Sequence, residues 1–174
     1  MGKIVLLILC LFIHPVVGQV QVKPQELLRV LKNKIFTAKV IRILDGDTME
    51  ILYQNTPIKI RLAHIDFPEK RGTQPFGDNA KKALSELCFG QNVIVHAQNY
   101  DRNKRLIAVV INVKKQVVNQ EMIKQGMAWH FKRYSKDEAY ARLELNARKN
   151  KVGIWRDANP IAPWEWRNTP KIKR

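Results

Sequence analysis

From Phe36 onward the chain is written in alternation. Phe36–Leu44 is rich in β-branched and apolar residues; Met49, Ile51 and Tyr53 then alternate with Glu50, Leu52 and Gln54. After Gln54-Asn55-Thr56-Pro57, a turn, Ile58, Ile60 and Leu62 alternate with Lys59, Arg61 and Ala63. A period of two puts one set of side chains in a core and the other outside, so three strands in meander order are predicted. The period changes at Ala80: Ala80, Ala83, Leu84, Leu87 and Cys88 fall on one face of a helix, and Gly90 lies just beyond its end. Val93–Ala97 and Leu106–Val113 read as two further strands. Asn119 to Gln125 reads as a short helix with Asn119 as N-cap and Gly126 as stop. Ser135 and Glu138 have capping-box spacing for a third helix, which carries Ala139, Leu143 and Ala147 inward and ends at Gly153. Five short strands with a helix after the third predict an α+β chain dominated by β, a five-stranded OB-type barrel with about three helices packed on it.

The flanks differ in character. Residues 1–18, MGKIVLLILCLFIHPVVG, have a basic start at Lys3, an apolar run from Ile4 to Ile13, a break at Pro15 and small residues before Gln19. That layout is a signal peptide, and the run is short for a membrane span, so export to a periplasm or the medium is expected. Residues 19–35 form a leader in which Glu26–Lys32 has the pattern of a short amphipathic helix. Residues 36–157 hold the barrel domain, and 158–174 a basic C-terminal tail rich in Trp and Pro. If Cys10 leaves with the signal, Cys88 has no partner; on an apolar helix face it is expected to be buried and inert.

At 174 residues with 45% hydrophobic side chains, the chain supports one globular domain. Its charge narrows the partners. Lys and Arg number 31 against 15 for Asp and Glu, a formal +16 that calls for a polyanion. Against that background the acids stand out. Asp45-Gly46-Asp47, taken alone, reads as a hairpin turn whose acids face water. The third strand, IKIRLAHIDFPEK, alters that reading. Arg61 points away from the core face, Asp66 ends the strand, and Phe67-Pro68 breaks it before Glu69. If the three strands lie side by side, Asp47 and Asp66 meet. Two carboxylates and a backbone carbonyl make an oxygen-only site suited to Ca²⁺ or Mg²⁺. Glu69 is close enough in sequence to serve as a base for water, while Arg61 and Arg105 offer forks for phosphate oxygens.

The segments DGDT at 45–48, IRLAHIDFPE at 60–69 and DRNKR at 101–105, in this order and spacing, resemble the staphylococcal nuclease (thermonuclease) family over about Phe36 to Trp155. GMAWHFKRYS and GIWRDANPIAPWEWR are similar to exported bacterial members. The resemblance implies an OB-type barrel with three helices and a calcium-dependent endonuclease acting on DNA, with RNA left open. It implies calcium ligands at Asp47, Asp66 and the carbonyl of Phe67, with Asp45 an acid beside the metal. It also implies Glu69 as general base, Arg61 and Arg105 as phosphate-binding catalytic residues, and products ending in 3′-phosphate. Tyr134 falls on a nucleotide-pocket tyrosine, and Lys132 replaces the neighbouring one. Phe67 stands where threonine is common, and Asn103-Lys104 replaces an aromatic and a glycine.

A non-catalytic nucleic-acid-binding OB module is the alternative, but such a binder has no use for carboxylates that repel phosphates. A membrane-surface protein would need a long basic amphipathic helix, which the chain lacks. No stable protein partner is implied, and a monomer is expected. His64, His96 and His130 show no ligand spacing. The four tryptophans are expected to pack helices and tail, and Arg148, Lys149 and Lys151 to form a solvated helix face.

Overall fold

The computed structural model describes residues 30–69 and 74–168. Five strands close a barrel: β1 (Ile35–Ile43), β2 (Thr48–Tyr53), β3 (Thr56–Leu62), β5 (Asn92–Tyr100) and β6 (Leu106–Ile111). Their order around it is β1-β2-β3-β6-β5. All neighbours are antiparallel except β3 and β6, which run parallel with Ile60 opposite Leu106. The alternation is borne out: Met49, Ile51, Ile58, Ile60 and Leu62 fill the interior with Val40, Val93, Val95, Leu106, Ala108 and Val110. Register breaks in β1 between Val40 and Arg42, and in β5 between Ala97 and Tyr100, bend those strands as closure requires. The β2–β3 turn is tighter than expected. Gln54 and Asn55 alone make it, both at positive φ, and Thr56 and Pro57 already belong to β3.

Helix α1 (Gly77–Cys88) buries the five residues that its spacing marked. The Cys88 thiol donates to the Leu84 carbonyl at 3.2 Å, and burial pushes its pKa up to about 12, which leaves it inert. Helix α2 (Val118–Lys124) begins one residue earlier than expected, and Asn119 is not its cap. The side chain is wholly buried and serves three backbone groups: it accepts from Val110 N and donates to the carbonyls of Ala63 and Ala108. It thereby stitches the end of β3 to β6. Helix α3 (Glu138–Lys149) is capped by Asp137, whose carboxylate accepts from Ala139 N at 2.8 Å. Ser135 is drawn away instead, its hydroxyl lying 2.9 Å from both His64 Nδ1 and His130 Nε2. The inward face of α3 is Tyr140, Glu144 and Ala147, while Ala139 and Leu143 are only partly covered.

Two short strands lie outside the barrel, β4 (Ile65–Asp66) and β7 (Trp129–His130), paired with Asp66 opposite Trp129. A 3-10 turn at Gly153–Arg156 follows α3. A last helix, α4 (Pro163–Asn168), folds back on this side of the molecule, with Trp164 stacked on Phe131 and edge-on to Trp129. The tryptophans at 129, 155 and 164 do pack one another. Arg148 is no free surface charge: it lies over Trp155 at 3.8 Å and Trp129 at 4.7 Å and pairs with buried Glu144. The expected signal peptide and most of the leader lie outside the described residues. Among the described residues no helix is long and apolar enough to cross a membrane.

A candidate nuclease active site

The pairing of β2, β3 and β6 collects the charged residues at one place on the barrel wall. Thr48 stands opposite Arg61 in the β2–β3 ladder, so Asp47 arrives beside Arg61. The parallel β3–β6 pair delivers Arg105, one residue before Leu106, to the same region. Gly46 makes the loop possible. A Cβ there would lie 2.4 Å from Phe67 Cδ2 and 2.8 Å from Ala80 Cβ, so only a residue without a side chain lets the Asp45–Asp47 loop lie down on β4 and α1. The acids of that loop do not both face water: Asp45 is half-buried, and Asp47 is wholly buried.

One chain of contacts runs through the site. Arg61 Nη1 lies 2.6 Å from Asp47 Oδ2, and its Nη2 lies 3.2 Å from Asp66 Oδ1. Thr48 Oγ donates to Asp47 Oδ1 at 2.8 Å and accepts from Arg105 Nη1 at 3.2 Å. Asp101 holds Arg105 from behind: Nε and Nη2 both approach Asp101 Oδ2 at 2.7 Å, and the Arg105 backbone N–H reaches Oδ1 at 2.9 Å. Burial would raise the Asp101 pKa, but these bonds from Arg105 more than offset it, and the carboxyl is held below its ordinary value. At the far end, Glu69 is joined to Asp66 through Arg167. Its backbone N–H donates at 2.7 Å to Gln74, whose amide in turn donates to the Ile161 carbonyl.

Asp47 is the least satisfied member. Burial pushes its pKa up most, Arg61 pulls it down, and Asp45 and Asp66 push it up again, to about 7. Arg61 divides itself between two acids. Burial opposes its charge, yet Asp47 and Asp66 keep its pKa above the ordinary value. The Arg61 contact to Asp47 Oδ2 lacks hydrogen-bond alignment, so this buried oxygen keeps unused acceptor capacity. Two fully buried carboxylates with hard oxygen donors fit a divalent cation, which would offset their desolvation. Among the described residues no three acidic, histidine or cysteine side chains converge there, so backbone carbonyl and water would have to complete the coordination. Phe67 fits that role through its backbone, since its ring is committed to the core against Gly46.

The expected site residues thus fall into two groups. Asp47, Arg61 and Asp66 touch directly, Arg105 joins through Thr48, and Glu69 through Arg167. Lys132 and Tyr134 lie on the turn after β7. Lys132 reaches Glu144 at 3.5 Å, and Tyr134, largely exposed, leans edge-on against Phe131. Sequence reasoning missed Thr48, Gln74, Asp101 and Arg167. Asp101 carried a signal, a carboxylate four residues before Arg105 in a short turn; Thr48 reaching Arg105, Gln74 reaching Ile161 and Arg167 reaching Asp66 act over separations no local pattern encodes.

The model of the family described as staphylococcal nuclease homologue matches residues 59–157, the stretch running from β3 to the 3-10 turn. The chain belongs to this family. A protein of Haemophilus influenzae named an uncharacterized endonuclease is 47% identical over 137 residues, covering 78% of this chain and 75% of the relative. A micrococcal nuclease of Shigella flexneri is 37% identical over 146 residues, covering 78% of this chain and 83% of the relative. A staphylococcal-like nuclease of Arabidopsis thaliana is 33% identical over 140 residues, which cover 80% of this chain but 42% of that longer protein.

Proposed function

We propose that this nuclease-family hydrolase is a calcium-dependent endonuclease that acts on DNA and, where offered, RNA, and that it works outside the cytoplasm as a monomer. The observation that carries the reading is the pair of wholly buried carboxylates, Asp47 and Asp66, sharing one guanidinium beside a second arginine. A protein that only bound nucleic acid would gain nothing from acids facing phosphates. The N-terminal apolar run supports export, and the +16 charge supports a nucleic-acid substrate.

Asp47, Asp66 and the carbonyl of Phe67 would hold the cation. When bound, calcium supplies positive charge against a phosphate oxygen and favours ionisation of nearby water. Arg61 and Arg105 hold the other phosphate oxygens and stabilise the charge that accumulates as the phosphorus becomes five-coordinate. Asp101 keeps Arg105 aimed, so little reorganisation is needed when substrate arrives. Glu69 takes the proton from water as the new O–P bond forms. The P–O5′ bond breaks, the 5′ oxygen leaves and takes up a proton, and the other fragment keeps a 3′-phosphate.

The test is a digestion of DNA and RNA by the mature protein, with calcium and with a chelator. Cleavage with calcium, its arrest by chelation, and a fall on the order of a hundredfold or more in Glu69→Gln are expected. A Glu69→Gln variant as fast as wild type would remove Glu69 from the mechanism.

A further inference from the structure

The tip of α4 makes a contact that the reaction above does not use. Arg167, on a helix after the end of the family match at residue 157, places Nη2 2.5 Å from Asp66 Oδ2. Its Nη1 lies 2.5 Å from Glu69 Oε1 and 3.5 Å from Asp66 Oδ1. One guanidinium therefore covers both a carboxylate assigned to the cation and the carboxylate assigned to the proton transfer. Burial opposes its charge, but the bonds to Asp66 and Glu69 more than offset this and keep it protonated.

We propose that Arg167 is a built-in counter-cation that closes the site at rest: it competes with a divalent cation for Asp66, masks Glu69, and is released when the cation binds. This rests on the reading that Asp47 and Asp66 hold calcium. A guanidinium against Asp66 Oδ2 and a divalent ion on the same carboxylate repel each other at short range, so each weakens the other. Arg167 occupies Glu69 Oε1, so a water molecule can approach that oxygen only when the arginine leaves.

The build of the segment suits release at the tip alone. Its root is fixed: Gln74 donates to the Ile161 carbonyl at 2.8 Å, Ala162 and Pro163 are buried, and Trp164 stacks on Phe131. Beyond the root, among the described residues, Trp166 to Asn168 must move. Trp166, Pro68 and Gln74 line a cavity of about 220 Å³ beside this tip, which gives the helix end room. The Arg167 side chain is 40% exposed, so water can take over its solvation on release, while its buried partner Asp66 is left for the incoming cation to neutralise. Cation binding and the closed tip are then linked, and each must oppose the other by the same factor.

The experiment titrates calcium into the mature full-length chain without nucleic acid, by calorimetry and by tryptophan emission, for wild type, Arg167→Lys and Arg167→Gln. Half-exposed Arg167 carries no core packing, so the variants fold. Expected is a cation affinity roughly 3- to 10-fold tighter in Arg167→Gln, with Arg167→Lys between. Wild type should show an emission change that Arg167→Gln lacks, because Trp166 shifts only where there is a closed tip to release. Equal or weaker affinity in Arg167→Gln overturns the competition and leaves the cation site standing; weaker affinity would make Arg167 a supporting residue of that site. Absence of calcium binding in every variant overturns both this inference and the cation site on which it rests.

Discussion

Asp47 offers the sharpest test of how this site is built. Its carboxyl is wholly buried and its pKa rises from 3.8 to about 7, with burial the largest cause. The sign follows from proton counting. Between those two values the folded chain holds a proton that the unfolded chain has lost, so raising the pH through this window removes stability. A shift of about three units corresponds to roughly 4 kcal/mol, the Arg61 attraction already included. Asp47→Asn mimics the protonated acid at every pH. Without metal, the variant should be about 4 kcal/mol more stable than wild type at pH 8, and its advantage should vanish near pH 4. The assay is urea unfolding at several pH values in chelator, reading the difference between variant and wild type so that other titrating groups cancel. His64 and His130, whose pKa values burial lowers, cost stability as pH falls and would otherwise blur the curve. With calcium at the proposed site the order should reverse, because wild type would gain binding energy that the variant would lose. A difference that stays flat with pH, or a variant less stable than wild type at pH 8 in chelator, refutes the view of Asp47 as a carboxylate held in place for a cation.

Asn119→Ala should cost about 2–4 kcal/mol in urea unfolding, since three buried backbone groups lose their partner; a loss below about 1 would mean water replaces the amide. Lys104→Gly should raise stability by about 0.5 kcal/mol or more, because Lys104 sits at φ 59 in the turn before Arg105, and a drop in the midpoint would contradict that strain. Gly46→Ala should lower stability by about 2 kcal/mol and weaken calcium binding in calorimetry, since the new Cβ would lie 2.4 Å from the Phe67 ring and must push the Asp47 loop away. A variant that keeps both properties would show the loop to be more compliant than its packing implies.

The barrel was legible because burial in a strand repeats every second residue and the pattern is local. Ile58, Ile60 and Leu62 declare an inside face, and Arg61 is thereby pointed at the site. The parallel β3–β6 contact that brings Arg105 to Arg61 is not local, and here the family resemblance contributed what periodicity could not. Two caps misled for one reason. Ser, Asn and Asp at a helix start are alike in sequence, and tertiary bonding chose among them: Asn119 was taken for backbone stitching, Ser135 for the histidines, and Asp137 was left to cap α3. The burial of Asp47 was hidden because Asp-Gly is a strong turn signal, and its glycine serves close packing here rather than a positive φ. Arg167 was invisible because a basic C-terminal stretch gives no sign of which arginine will find a carboxylate.

So basic a chain keeps these acids because its two kinds of charge work at different ranges. The surplus of Lys and Arg acts over roughly a Debye length, about 8 Å in physiological salt, and draws a polyanion in whatever its sequence. It cannot make water attack phosphorus. That requires a local concentration of oxygen ligands and a base, and the two aspartates among them must carry charge where the folded chain keeps water out. Asp47 and Asp66 have no solvent to stabilise them, so the positive charge beside them has to come from the chain or from a bound cation. In the chain alone it comes from arginines, Arg61 between the two aspartates and Arg167 between Asp66 and Glu69. Arginine suits this because its planar fork can serve two carboxylates at once and later present the same donors to a phosphate. Lysine would neutralise as well but could not hold two acids in a fixed plane. The acidic cluster is therefore what gives the site's arginines their places, and the positive field outside it would be inert without that ordering.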